Sequence, residues 1–293
     1  MQTAITVKNL KKQYPKGFCL DNVSFTLPKG CIMGLIGENG AGKTTTIKLL
    51  LNQIRRDGGE IEILGGDILK NEQKIKEQIG VVLDEGFFYE ALTPKQVGAI
   101  LRRIFKSWDD ALFLRYLREF SLESDKTIKE FSKGMRMKFS IVTALCHHPK
   151  LLILDEATSG LDPIVRSEIL DIFLDFIQDE EHSILFSSHI TTDLEKIADY
   201  ITFLHEGKVV FSESKDELLY RYGLVKCSEK TFAGLDKSDF VAWRASEFGI
   251  QALTADKKRT QRRYGDLVVD DCTLDDIMLY YVKGEKSRER THL

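Results

Sequence analysis

The sequence predicts an α/β chain with a mostly parallel sheet, an inserted helical subdomain and a small α+β appendage at its C-terminal end. Three observations predict it. "CIMGLIG" (31–37) and "KLLILDE" (150–156) are short, nearly continuous apolar runs, the pattern of strands covered on both faces. Between them, from Leu92 to about Leu145, the apolar period becomes helical. Near Gly223 the composition changes again, to short mixed segments that close on an amphipathic helix.

Taken in order, "AITVKNLKKQY" (4–14) and "NVSFTL" (22–27) alternate apolar and polar residues like half-buried strands. "CIMGLIG" is followed directly by the helix pattern "KTTTIKLLLNQI" (43–54), and "GEIEILG" (59–65) reads as a strand before a turn at Gly65 and Gly66. The helical stretch includes "TPKQVGAILRRIF" (93–105), which starts at a Thr-Pro cap. Strand "KLLILDE", helix "PIVRSEILDIFLDFIQ" (163–178) and strand "SILFSSH" (183–189) then resume the parallel-sheet order. A helix around "TTDLEKIADY" (191–200) precedes strands "ITFLHEG" (201–207) and "KVVFSE" (208–213). We place the domain boundary at 222/223. The first domain then divides into a core (1–90 and 146–222) and the helical subdomain (91–145). In residues 223–293, "GLVKCS", "GIQALTAD", "DLVVDD" and the helix "TLDDIMLYYVKG" (273–284) form the accessory domain.

A chain of 293 residues has enough length for a sizeable core and, at about 150 residues per domain, for two domains. The net charge of −3 argues against binding nucleic acid over the whole surface, while leaving local basic patches open. The start lacks the apolar run of a secretory signal, and no stretch approaches the roughly twenty apolar residues of a membrane-spanning helix. The five cysteines (19, 31, 146, 227 and 272) are scattered without metal-ligand spacing, as expected of reduced cytosolic thiols. "CHH" (146–148) is read as a helix end before Pro149, because adjacent positions point to different faces.

The chemistry begins at "GENGAGKT", Gly37 to Thr44, which fits G-x-x-x-x-G-K-[ST] and sits between a buried strand and a helix, where that phosphate-binding loop has to be. The glycines 37, 40 and 42 let the backbone curl so that its amides face phosphates. Lys43 is expected to reach the β- and γ-phosphates and the Thr44 hydroxyl to ligate Mg²⁺. Asp155 and Glu156 end a strand, at the sheet edge where open α/β sheets bind ligands. Asp155 is suited to Mg²⁺, and Glu156 to taking a proton from the water that attacks the γ-phosphate. A third element, "FSKGM" (131–135), puts small residues and a lysine at a helix start, a second anion site in the same chain.

This ordered set resembles the ATPase subunit of ATP-binding cassette (ABC) transporters, over roughly residues 1–220, and within that family the antibiotic- and peptide-export (ABC-2 type) branch of Gram-positive bacteria. "GENGAGKT" matches its phosphate loop, "LLILDE" its acidic strand, "SGLD" (159–162) its dimer-contact loop, and "SSH" its switch histidine, His189. "FSKGM" matches the signature, usually Leu-Ser-Gly-Gly-Gln. The resemblance implies a P-loop NTPase core that binds ATP through Gly37, Glu38, Asn39, Gly40, Ala41, Gly42, Lys43, Thr44 and Thr45. It implies that Tyr14 stacks on adenine. It further implies a head-to-tail dimer with an identical or paralogous second subunit, in which Ser132, Lys133 and Gly134 meet the ATP held by the partner. His189 would bridge Glu156 and the γ-phosphate. Asp84 stands where the family usually has glutamine; it is shorter by a methylene and charged, so it would meet Mg²⁺ or the attacking water differently.

The function implied is an ATP-hydrolysing subunit, cytoplasmic and peripheral at the inner face of the membrane, that powers a membrane-spanning exporter. Phe87, Phe88 and Tyr89 are candidates to line a pocket for a helix of the membrane subunit, or alternatively to be core. The competing function is a soluble cassette ATPase acting on ribosomes or nucleic acid; the single cassette and the lack of sustained heptads count against it. "KKRTQRR" (257–263) reads as a solvated loop, or alternatively as a face toward anionic lipid or nucleic acid.

Overall fold

The structure is a computed structural model that describes residues 2–15, 17–84, 88–247 and 249–285. It divides into two compact units, Met1–Ser212 and Glu213–Leu293. Helix Lys215–Arg221 falls between this division and the boundary at 222/223 expected from composition.

The first unit starts with β1 (Thr3–Gln13) and β2 (Cys19–Pro28), then β3 (Ile32–Ile36) and α1 (Lys43–Leu50). β4 (Gly58–Ile63), β5 (Gly66–Asp67), α2 (Glu72–Lys76) and β6 (Ile79–Val82) follow. The helical part holds α3 (Pro94–Ile104), α4 (Asp110–Glu119) and α5 (Lys133–Leu145). The remainder is β7 (Leu151–Asp155), α6 (Pro163–Phe176), β8 (Ser183–Ser188), α7 (Thr191–Ile197), β9 (Tyr200–His205) and β10 (Lys208–Ser214).

Two sheets result. β2-β1-β4-β5 is antiparallel, and its alternation buries Leu10, Leu20, Val23 and Leu27 on one face. The second sheet runs β10-β9-β3-β8-β7-β6, and every pairing from β9 to β6 is parallel. β3, β7 and β8 are buried along their whole length, which is why they read as continuous apolar runs. The register matters for the site: Asp155 on β7 lies opposite Ser187 on β8. β9 and β10 are joined by Glu206 and Gly207, both at positive φ (47° and 77°), as a two-residue hairpin turn with φ > 0 at both positions requires.

Local chemistry explains the helical subdomain. Thr93 caps α3 in a reciprocal capping box with Gln96, and Pro94 occupies the first turn. Asp109 caps α4, and Ser132 caps α5. Phe139 of α5 sits at the centre of their shared core, edge-on to Phe131 at 6.2 Å and Phe113 at 6.4 Å between ring centroids.

The second unit contains α8 (Lys215–Arg221), β11 (Gly223–Cys227), α9 (Glu229–Ala233), β12 (Ala242–Ser246) and β13 (Gly249–Thr254). α10 (Lys257–Arg263), β14 (Val269–Asp270) and α11 (Leu274–Lys283) complete it. Its antiparallel sheet, ordered β12-β13-β11-β14, covers a small core around Val225, Phe232 and Phe240.

Three details differ from the sequence reading. The segment "KKRTQRR" is a helix, not a loop: Asp256 caps it through the Arg259 N–H at 2.9 Å, and Thr260 is buried against the Thr254 hydroxyl at 2.7 Å. α7 stops at Ile197 instead of running to Tyr200, because Asp199 is tied to β3: its N–H donates to the Ile32 carbonyl (2.9 Å) and its carboxylate accepts from the Ile32 N–H (2.8 Å). Strand β6 is an element that the sequence pattern above does not predict. "CHH" does end a helix: Cys146 is the C-cap of α5, and His147 is buried with Nε2 3.0 Å from the Ile79 carbonyl.

Candidate functional site

The site is built where β3, β7 and β8 end side by side. After Ile36 the chain turns through residues 37–42 into α1. A β-carbon at Gly37 would lie 2.4 Å from the Leu204 carbonyl oxygen, so only glycine permits this approach to β9. Gly42, the N-cap of α1, has φ 112°, a left-handed value that again favours glycine. The free N–H groups of the helix start are thereby directed into the loop.

Lys43 is only 6% exposed. Its ammonium donates to the Gly37 carbonyl at 2.8 Å and lies 3.3 Å from Glu156 Oε1. Glu156 follows β7 in a left-handed conformation (φ 54°), and its N–H is held by the Ser187 carbonyl at 3.0 Å and the Ser187 hydroxyl at 3.3 Å. Its other oxygen, Oε2, lies 2.6 Å from His189 Nδ1 and also accepts, at 3.4 Å, from the His189 N–H. Asp155 is buried and accepts a hydrogen bond from the Ser187 hydroxyl. An open cleft of about 560 Å³ is lined by Glu38, Asn39, Gly40, Gly42, Lys43, Thr44 and Thr45, together with Phe18, Asp84, Glu156, Ser159 and His189.

Lys43, the Glu156 carboxylate, the His189 imidazole and the start of α1 thus line one cleft, with Asp155 buried next to Glu156. This combination can bind a polyphosphate and hold a carboxylate ready to accept a proton. Among the described residues, no three His, Cys, Asp or Glu side chains form a metal cage. The donors suit Mg²⁺ nonetheless, because that ion keeps waters and borrows phosphate oxygens, taking only one or two protein ligands. Thr44 is exposed and lines the cleft, and Asp155 is buried at the end of β7.

Some expected residues are elsewhere. Tyr14 does not line the cleft. It packs on Phe18 (centroids 6.3 Å apart, planes at 42°), and it is Phe18 that faces the cleft. Ser132, Lys133 and Gly134, expected at the partner's nucleotide and not at their own, lie outside the cleft lining. Ser132 spends its hydroxyl on the Met135 N–H (3.2 Å), Ser132 and Lys133 are exposed, and Gly134 faces Val165. Ser187 bonds to both acidic residues, and in the sequence only its place in "SSH" ahead of His189 marks it.

A separate groove of about 830 Å³ runs between the α2–β6 region and the helical subdomain, walled by Val81, Leu83, Phe88, Leu101, Ile104 and Phe105. Phe88 is half-buried against Phe139 (centroids 5.0 Å), so it belongs both to this wall and to the helical core. Tyr89 is 82% exposed and is not part of the wall; Phe87 lies outside the described residues. No described helix is long and apolar enough to cross a membrane.

Comparison with known proteins agrees with this geometry. Residues 20–159 match the family model described as ABC transporter. The bacitracin transport ATP-binding protein BcrA of Bacillus licheniformis is 36% identical over 226 residues, covering 75% of this chain and 73% of that protein. The lantibiotic transport ATP-binding protein SrtF of Streptococcus pyogenes is 34% identical, covering 72% of this chain and 91% of its own length. A solved ATP-binding subunit of an ABC transporter superposes with a TM-score of 0.67 at 30% identity, over 74% of this chain and 92% of that one. The chain belongs to the ABC transporter family, as the ATP-binding, ATP-hydrolysing subunit that powers a transporter.

Proposed function

We propose that the chain drives export of a peptide antibiotic or a similar small molecule, by closing head to tail on a second cassette when ATP binds. The export reading rests on the likeness to bacitracin and lantibiotic transport proteins. In it, Lys43 and the loop amides hold the β- and γ-phosphates. Glu156 takes the proton of the attacking water. His189, hydrogen-bonded to Glu156, orients that carboxylate. Thr44 and Asp155 would hold Mg²⁺, with Asp84 within the same cleft; when bound, the ion offsets charge on the phosphates.

One observation carries the dimer. The phosphate loop, Glu156 and His189 share a cleft, while Ser132, Lys133 and Gly134, exposed or half-exposed at another helix start, are not part of its lining. Two anion sites in one chain then serve two nucleotides, each cleft being completed by the signature of the partner. The apolar groove beside Ile104 would receive a helix of the membrane subunit, which keeps the chain peripheral at the inner face of the membrane.

Complementation in trans tests this. Lys43→Ala removes the chain's own phosphate lysine, and Gly134→Asp sets a carboxylate against the partner's phosphate; each alone should be nearly inactive. Mixed with subunit exchange, half the dimers keep one intact site, so about a quarter of the wild-type rate should return if the two sites act independently. If both sites must act together, ATP-dependent dimerisation should return instead. Recovery of neither, with exchange verified by labelled subunits, excludes the trans arrangement.

A further inference from the structure

We propose that His205 is a positioning residue for the phosphate loop, acting through Glu38 to hold the loop on the end of β9. Nδ1 of His205 lies 2.9 Å from Glu38 Oε1, and a carboxylate can only accept, so the imidazole donates. The other oxygen, Glu38 Oε2, is buried and has no hydrogen-bond partner among the described residues. A carboxylate oxygen left in that state is unfavourable, so solvation does not explain where this side chain lies; the contact with His205 does.

The contact belongs to a series. Gly37 approaches the Leu204 carbonyl so closely that no side chain fits, Glu38 bonds His205, and the Ala41 carbonyl accepts from the Gly207 N–H at 3.1 Å. The loop therefore touches three points along the β9 end and its rigid turn. Of these, the bond from Glu38 to His205 is made by side chains and can be removed without changing the backbone. Its importance for the nucleotide runs through Lys43, whose ammonium donates to the carbonyls of Gly37 and Glu38 at 2.8 and 3.5 Å. The two residues that steer the lysine are those anchored on β9. Releasing Glu38 lets these carbonyls move and loosens the phosphate cradle.

This inference rests on residues 37–44 being the nucleotide's phosphate loop, so the experiment controls that separately. On the full chain, nucleotide affinity is measured with a fluorescent ATP analogue, alongside steady-state ATPase. Lys43→Ala must abolish binding; if it does not, the reading of the loop itself fails. With that satisfied, His205→Ala should weaken binding roughly five- to twentyfold and raise KM more than it lowers kcat, and Glu38→Ala should cost less in the His205→Ala background than in the wild-type chain, the non-additivity expected of a contacting pair. His205→Asn, whose amide nitrogen takes the place of Nδ1, should recover most of the affinity, whereas His205→Gln, whose amide reaches the Nε2 position, should not. Should His205→Ala fail to fold, the contrast between the Asn and Gln variants decides. Unchanged affinity, equal Asn and Gln variants, or additive losses from positions 38 and 205 would each overturn the proposal.

Discussion

His189 Nδ1 and Glu156 Oε2 lie 2.6 Å apart, at the ends of two adjacent parallel strands. The other carboxylate oxygen faces Lys43 at 3.3 Å, and the Glu156 side chain is only 14% exposed. The candidate base is therefore gripped at both oxygens, one by an imidazole and one by an ammonium. On the proposed reading, a bound γ-phosphate would compete for the lysine and free that side of the carboxylate for a water proton.

Glu156→Gln keeps the size of this side chain and part of its hydrogen bonding while removing its basicity. ATP hydrolysis should fall by ~10²–10⁴, the usual contribution of a general base. ATP binding should persist, and gel filtration should show a dimer that accumulates with ATP. Wild-type turnover in this variant would remove Glu156 from the reaction.

The groove gives a second prediction. Ile104 is 60% exposed on its rim, so Ile104→Asp leaves the core intact and should change stability by no more than about 0.5 kcal/mol. ATPase of the isolated chain should be retained, while co-purification with the membrane subunit falls. Undiminished co-purification would mean that the membrane subunit docks elsewhere. Phe88 is a poorer probe, because its ring packs on Phe139 and its loss damages the helical core.

Two buried thiols predict an alkaline limit to stability. Burial, with Asp109 nearby, pushes Cys146 from an ordinary 9.0 up to about 12, and burial with Asp276 and Asp271 does the same for Cys272. Above pH 9 the unfolded chain loses these protons while the folded chain keeps them. Stability is thus full below pH 9 and declines as pH rises toward 12. Urea midpoints should fall across that window, and Cys146→Ala should flatten the decline. An equal slope in this variant would show that the alkaline loss comes from other groups.

The parts of the site legible in the sequence are those carried by contiguous residues. "GENGAGKT" encodes its own turn and helix start, and "LLILDE" carries both its strand and its two carboxylates. What escaped depends on partners distant along the chain. Ser187 acquires its role only because sheet register sets it opposite Asp155, and His205 only because β9 ends beside the loop. Phe18, four residues after Tyr14 and packed on its ring, lines the cleft for a similar reason: the packing of the two rings, not the local sequence of either, sets its place there. α10 reads as a loop in the sequence because its burial hangs on one small residue, Thr260, and seven residues rich in charge show no apolar stripe.

Glu156 carries its side chain on backbone at φ 54°, a region where most L-residues pay steric strain of order 1–3 kcal/mol. Glycine at 156 would relieve that strain, and asparagine tolerates it better than glutamate. Selection for thermal robustness alone would therefore drift toward these residues here, discarding turnover without any sign of a damaged fold. Several non-glycine residues share this positive φ, but at Glu156 alone would relief of the strain remove the proposed base, so a stability screen should be barred from touching it.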